Sequence, residues 1–283
     1  MASRLLDIHP HVISSDDVTY PKDPLGGVQS KWSMERPVTW EQLREAMDEA
    51  NVYKAAVVQS STTYGHDNSY VADCVDESGG RITAVVSVSF LDDDSIDRIR
   101  YWIDERQMSG VRLFTTGSTM AQSSWLDDER TKKCWAHVLE HQIPVCLQLS
   151  KPALPQFKGI LREYDGLKII LDHVAMSDFT SGPPYRDANP VYEFADNEGV
   201  HLKVTSRVLT MGAKSEGGAQ AVMAELVSRF GSDRIAWGSN YPANEGSLSS
   251  LVGLLEEACG GLSQTDADNV RYATAAKLYP KIA

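Results

Sequence analysis

A closed (β/α)8 TIM barrel, an α/β fold, is the class this sequence predicts, and three observations carry it. Short apolar, β-branched segments alternate with longer stretches of helical period along the whole chain, the pattern of a parallel sheet covered by helices. Eight such segments can be counted, which favours closure over an open sheet. The length of 283 residues is near the roughly 250 of one barrel, so residues 1–283 are read as one domain without a linker.

The strand segments are LLDIH from Leu5, YKAAVVQ from Tyr53, ITAVVSVSF from Ile82, GVRLFT from Gly110, PVCLQLS from Pro144, LKIILDHVA from Leu167, VHLKVTS from Val200 and RIAWGSN from Arg234. Between them, Thr39 before WEQLREAMDEA, with Glu41 close behind, and Asp67 before NSYVADCVDE are expected to cap exposed backbone amides of helices. Residues 13–38 hold Pro21, Pro24, Gly26 and Gly27 with no period. A connection of that length is expected to be a lid or binding loop, with Tyr20 and Trp32 as an aromatic wall. The tail SQTDADNVRYATAAKLYPKI reads as one closing helix.

Charge and cysteine usage narrow the function. A net charge of -12 argues against a nucleic-acid or anionic-membrane partner, so an anionic substrate must be held by local cations. The cysteines Cys74, Cys134, Cys146 and Cys259 show no metal-knuckle spacing and read as reduced core thiols. No run reaches the roughly 18 apolar residues of a spanning helix, and no signal-peptide pattern opens the chain. A cytoplasmic protein is expected, and a homo-oligomer is left open.

In such a barrel the active site lies at the carboxyl ends of the strands, where a polar residue ending an apolar strand is informative. His9 and His11 end the first strand two apart, which aims both rings at one face. Gln59, Arg112, Gln148, His173, Lys203, Arg207 and Asn240 end or interrupt six later strands. Any one alone reads as a hydrogen-bonded core or loop-anchoring group; their recurrence at one mouth reads as a site. Ser61 and Tyr64, after the second strand, are candidates to bind a ring oxygen. Arg112 has the planar fork for bidentate carboxylate binding, and Arg207 is a second candidate. Lys203 is either a cation for substrate or the partner of an acid. Two cations in an acidic protein suit a small anionic ring compound.

DIHPH, VQSSTTYGHDNSYVADCV, GVRLF, LDHVA, HLKVTS and WGSNYP, in this order, resemble the amidohydrolase superfamily, in the amidohydrolase-2 branch of pyrone dicarboxylate lactonases and some decarboxylases. The resemblance spans nearly the whole chain. In metal-dependent members the matching positions, His9, His11, Gln148, His173 and Asn240, surround one or two divalent ions. Two positions depart from the pattern: Gln148 stands where a His is common, and Asn240 where an Asp is expected.

A neutral amide is a weak zinc ligand, so His9, His11 and His173 would carry any metal. An amide also cannot take a proton from water at neutral pH. Water is then activated by a bound divalent metal such as zinc, or by a histidine in a metal-free site, or the chain is an Asp-to-Asn variant without its base. The resemblance implies a hydrolase opening a lactone, or an amide or imide, of a small carboxylated compound. His9, His11, His173 and Asn240 are its expected catalytic residues and Gln59, Ser61, Tyr64, Arg112, Gln148 and Arg207 its expected substrate ligands, with metal-free use preferred. A lactone isomerase or decarboxylase on the same scaffold, or a non-catalytic binder, are the alternatives.

Overall fold

The computed structural model describes residues 4–116 and 125–283. Eight parallel strands pair in chain order: β1 (Leu6–Asp7), β2 (Lys54–Val58), β3 (Ile82–Ser87), β4 (Gly110–Phe114), β5 (Val145–Gln148), β6 (Ile169–Asp172), β7 (Val200–Thr205) and β8 (Ile235–Gly238). The Ile8 amide donates to the Trp237 carbonyl at 3.2 Å and joins β8 back to β1. Each strand lies within an expected segment and is shorter than it, because the segment's polar end leaves the ladder to form the mouth.

The period of two sorts each strand between two cores. Val111, Leu113, Val145, Leu147, Ile169 and Leu171 face the helices. Leu6, Ile8, Ala56, Val58, Val85, Cys146, Ile170 and Ala236 fill the barrel and meet Ala275, Leu278, Tyr279 and Ile282 of the tail. The tail is one continuous helix, Gln264–Leu278, with a wide turn at Asn269–Ala273. It closes the amino-terminal end: a Cβ on Gly110, the first residue of β4, would stand 3.4 Å from the Tyr279 ring and 2.9 Å from the Pro144 carbonyl oxygen.

Thr39 caps the helix Trp40–Glu49 as expected, and its reciprocal partner is Gln42 at the third helical position. The Asp67 carboxylate accepts from the Ser69 amide at 2.9 Å, as expected of a cap. All four cysteines are buried free thiols. Among the described residues no helix is long and apolar enough to cross a membrane.

Gly238 links this frame to the site. A side chain there would place its Cβ 2.5 Å from the His9 Cβ and 3.2 Å from the His9 nitrogen, and neither neighbour is a flexible tip. Gly238→Ala should therefore lower stability by about 1–3 kcal/mol through overpacking, as urea unfolding would measure. An unchanged midpoint would mean that β1 and β8 are free to separate.

Candidate active site

The register of the sheet builds the floor of the mouth from charge. On β6 and β7, Asp172 lies beside Lys203, and both side chains point inward and are fully buried. Lys203 Nζ is 2.8 Å from Asp172 Oδ1, and Arg112 Nε donates to Asp172 Oδ2 at 2.7 Å from across the barrel. Burial alone pushes the Asp172 carboxyl up, but Lys203 and Arg112 outweigh it and hold it well below the usual carboxylate range. Asp172, Lys203 and Arg112 together carry one excess positive charge.

Arg112 is correspondingly committed. Its Nη2 donates to Gln148 Oε1 at 2.8 Å and lies 3.4 Å from His9 Nε2, so its Nε and Nη2 edge is occupied. The expected bidentate fork for substrate is thus a structural one, aimed at Asp172. Gln148 in turn donates to the Thr116 carbonyl at 2.8 Å. The Arg112 guanidinium rests 4.6 Å over the Phe114 ring and still lines the cavity.

Three imidazoles stand on this floor. The His9 ring is 4.9 Å from both the His11 and His173 rings. The strand alternation breaks between Ile8, in the barrel core, and His9, because Asp7 Oδ1 accepts from the His9 amide at 3.0 Å and the Ser239 amide at 2.8 Å. Burial pushes the Asp7 carboxyl up to about 6 against those hydrogen bonds. His11 Nδ1 lies 2.8 Å from the Val58 carbonyl; a carbonyl only accepts, so Nδ1 carries the proton and Nε2 is a free lone pair. His173 Nδ1 pairs with Thr205 Oγ1 at 2.8 Å. His9 is completely buried, whereas His11 and His173 reach the cavity.

The expected β6 segment runs on through His173 as strand, but the chain instead turns left-handed there. His173, Val174, Ala175 and Met176 have φ of 55°, 52°, 48° and 60°, a conformation costing roughly 1–2 kcal/mol per residue away from glycine. Such strain persists where surrounding packing dictates it; here Val174 and Ala175 are wholly buried. Asn240 also has φ 56°, which Asn tolerates better than most residues.

Burial, with Arg112 as the largest opposing charge, pushes His11 down to about 3. Burial likewise brings His173 to about 3, Arg112 and Arg207 adding to it against Asp172. Burial and then Lys203 and Arg112 lower His9 further. These histidines bind fewer protons folded than unfolded, so the stability they contribute is present above pH 6.5 and falls as pH drops towards 3.

The cavity above encloses about 490 Å³, within the roughly 300–1,000 Å³ of small-ligand sites. Gln59, Ser61, Arg207 and Asn240 line it. The Arg207 Nη1 is buried without a hydrogen-bond partner, and burial lowers the group's pKa. Trp32, on the short helix Lys31–Glu35 of the long first loop, stacks on His11 at 5.2 Å and lines the cavity together with Leu25 of the same loop. Two expectations are corrected. Tyr64 is turned away, its hydroxyl taken by the Ser14 amide at 2.8 Å, and Tyr20 hydrogen-bonds Asp73 at 2.9 Å instead of walling the cavity. Sequence reasoning passed over Asp172, the centre of the network, and the lining residues Asn244 and Glu245. Asp172 had a signal, being in phase with inward Ile170.

With this fold and mouth, the chain belongs to the amidohydrolase family, which it matches over residues 6–281, and is an enzyme of that superfamily. It is 22% identical over 276 residues to the L-fucono-1,5-lactonase of Burkholderia ambifaria, covering 93% of this chain and 90% of the relative. It superposes with a TM-score of 0.78 and 20% identity, over 99% of both chains, on a Pseudomonas putida structure described as a 2-pyrone-4,6-dicarboxylic acid hydrolase. An amidohydrolase from Burkholderia multivorans with bound zinc gives 0.77 and 17% over 98% of this chain and 99% of that one.

The donors present here do not fit a divalent ion as arranged. The His9 Nε2 lone pair faces a guanidinium, the Asp172 oxygens and the Gln148 Oε1 are taken by cations, and Asn240 is neutral. Among the described residues no group of three or more His, Cys, Asp or Glu is arranged to hold a metal. Of the expected ligand set His9, His11 and His173, His9 thus meets a guanidinium at its Nε2.

Removing the charge of Asp172 should be severe. Asp172→Asn would strand two buried cations and cost about 3–5 kcal/mol, whereas Asp172→Asn with Lys203→Met should recover a large part of it. Urea unfolding of both variants at pH 7 decides this; equal losses would contradict the pairing.

Proposed function

We propose that this protein opens the lactone ring of a small carboxylated compound, without a metal. The observation that carries this reading is the meeting of neutral imidazoles with fixed cations on one cavity. The unpaired Arg207 Nη1 takes the substrate carboxylate. A bound carboxylate offsets the cations that hold the imidazoles neutral, and His11, through its free Nε2, or His173 then accepts the proton of the attacking water and returns it to the ring oxygen as the ester C–O bond breaks. The Arg112 guanidinium on the cavity floor faces the oxygen on which negative charge develops, and buried positive charge acts strongly there. Asn240 donates to Asn244 Oδ1 at 2.9 Å, which leaves its own oxygen to orient water. The lactonase relative supports the reaction class.

The test is a panel of carboxylated lactones with protein purified without chelator and analysed for metals by mass spectrometry. Ring opening should proceed with no stoichiometric ion and survive chelator. His173→Ala should lower kcat/KM roughly 100-fold or more, and Arg207→Gln should raise KM roughly tenfold with a smaller effect on kcat. Activity that tracks zinc content, or release of carbon dioxide in place of ring opening, would overturn the reading. Asn240→Asp should bring no gain in rate, because the proton of the attacking water goes to an imidazole; a large gain would identify Asn240 as a disabled base.

A further inference from the structure

A second cavity, of about 230 Å³, lies against the first and shares Leu25 and Phe114 with it as a common wall. Its other lining residues are His66, Val88, Ser89, Phe90, Leu91 and Trp125. The walls are preformed. Trp125 Nε1 donates to the Phe114 carbonyl at 2.8 Å, Phe90 packs edge-on against Trp135 at 5.1 Å, and the Leu25 amide donates to the Ser61 carbonyl at 2.8 Å. The imidazole of His66 is held through Nδ1 by Ser87 Oγ at 2.9 Å.

The contrast between the two spaces is chemical. The first carries two guanidinium groups, Arg112 and Arg207, with amides, hydroxyls and imidazoles among its apolar walls; the second has no cation, is mostly aromatic and aliphatic carbon with His66 and Ser89 as its polar side chains, and is too small to be a ligand site of its own. A polar ring with a carboxylate suits the first alone. We infer that the second cavity takes an apolar, aryl-sized arm of the substrate whose carboxylated ring occupies the first, the arm passing between Leu25 and Phe114. This specificity pocket rests on the reading of the first cavity as the lactone site.

Burying a phenyl in place of a methyl removes enough apolar surface from water to favour binding by about tenfold or more. Phenylparaconate and methylparaconate share one carboxylated γ-lactone ring and differ only in that arm, so their kcat/KM values test the pocket. The native protein should prefer the phenyl compound at least tenfold. Leu91→Trp, at a half-buried position, should fill the pocket and bring the ratio within about threefold while the methyl compound reacts as before.

Dissociation constants for phenylsuccinate and methylsuccinate, which have no ring to open, separate the two claims. Tighter binding of phenylsuccinate, lost in Leu91→Trp, supports the pocket even if neither lactone is opened, an outcome that would overturn only the lactone reading. Equal binding of both succinates, or an equal loss of both in Leu91→Trp, overturns the pocket.

Discussion

The buried carboxylate of Asp172, clamped between Lys203 and Arg112, is the constraint on which the rest of the site depends. Charges so far from water persist only when paired and hydrogen-bonded, and this pairing draws strands β4, β6 and β7 to one point on the barrel axis. Arg112, once fixed, sets Gln148 on β5 and the face of His9 on the loop leaving β1. Burial, with the charges of Arg112 and Lys203 added to it, keeps three imidazoles neutral. A polar mouth thus follows from one acid placed in phase with the apolar interior of its strand.

The second constraint is steric. His9 fits because Gly238 has no side chain, and His173 reaches the cavity because four successive residues accept left-handed backbone. Both features lie where strands end and ladder hydrogen bonds no longer dictate the chain. Local strain is stored there and supported by the buried packing around Val174 and Ala175. The long loop after β1 completes the site from above, with Trp32 stacked on His11.

The barrel was legible because its signal is repeated: eight apolar segments with helical spacers report the same architecture independently. Strand-end polar residues such as His11, His173, Arg207 and Asn240 were legible as mouth residues because each directly follows an apolar strand segment, although left-handed, helical or loop backbone past the strand, not alternation, sets where each side chain points. Partnership was not. Nothing local to GVRLF says that Arg112 faces an acid 60 residues later, so it read as free for substrate. Asp172 was less legible because a lone acid inside an apolar strand does not say which cations it meets, and Lys203 and Arg112 lie on other strands. Tyr64 and Tyr20 were misplaced because loop backbone decides where they go, and Pro and Gly mark a loop without giving its path.

Burial and the Arg112 and Lys203 charges hold His11 and His173 neutral, with the His11 proton on Nδ1. Nitrogen-15 NMR of the histidine rings, followed from pH 8 down to pH 5, reads both properties directly. The account predicts a neutral His11 with Nδ1 protonated and Nε2 bare, and a neutral His173, across the whole range. An imidazolium signal from either ring appearing near pH 6.5, the ordinary value for histidine, would contradict it.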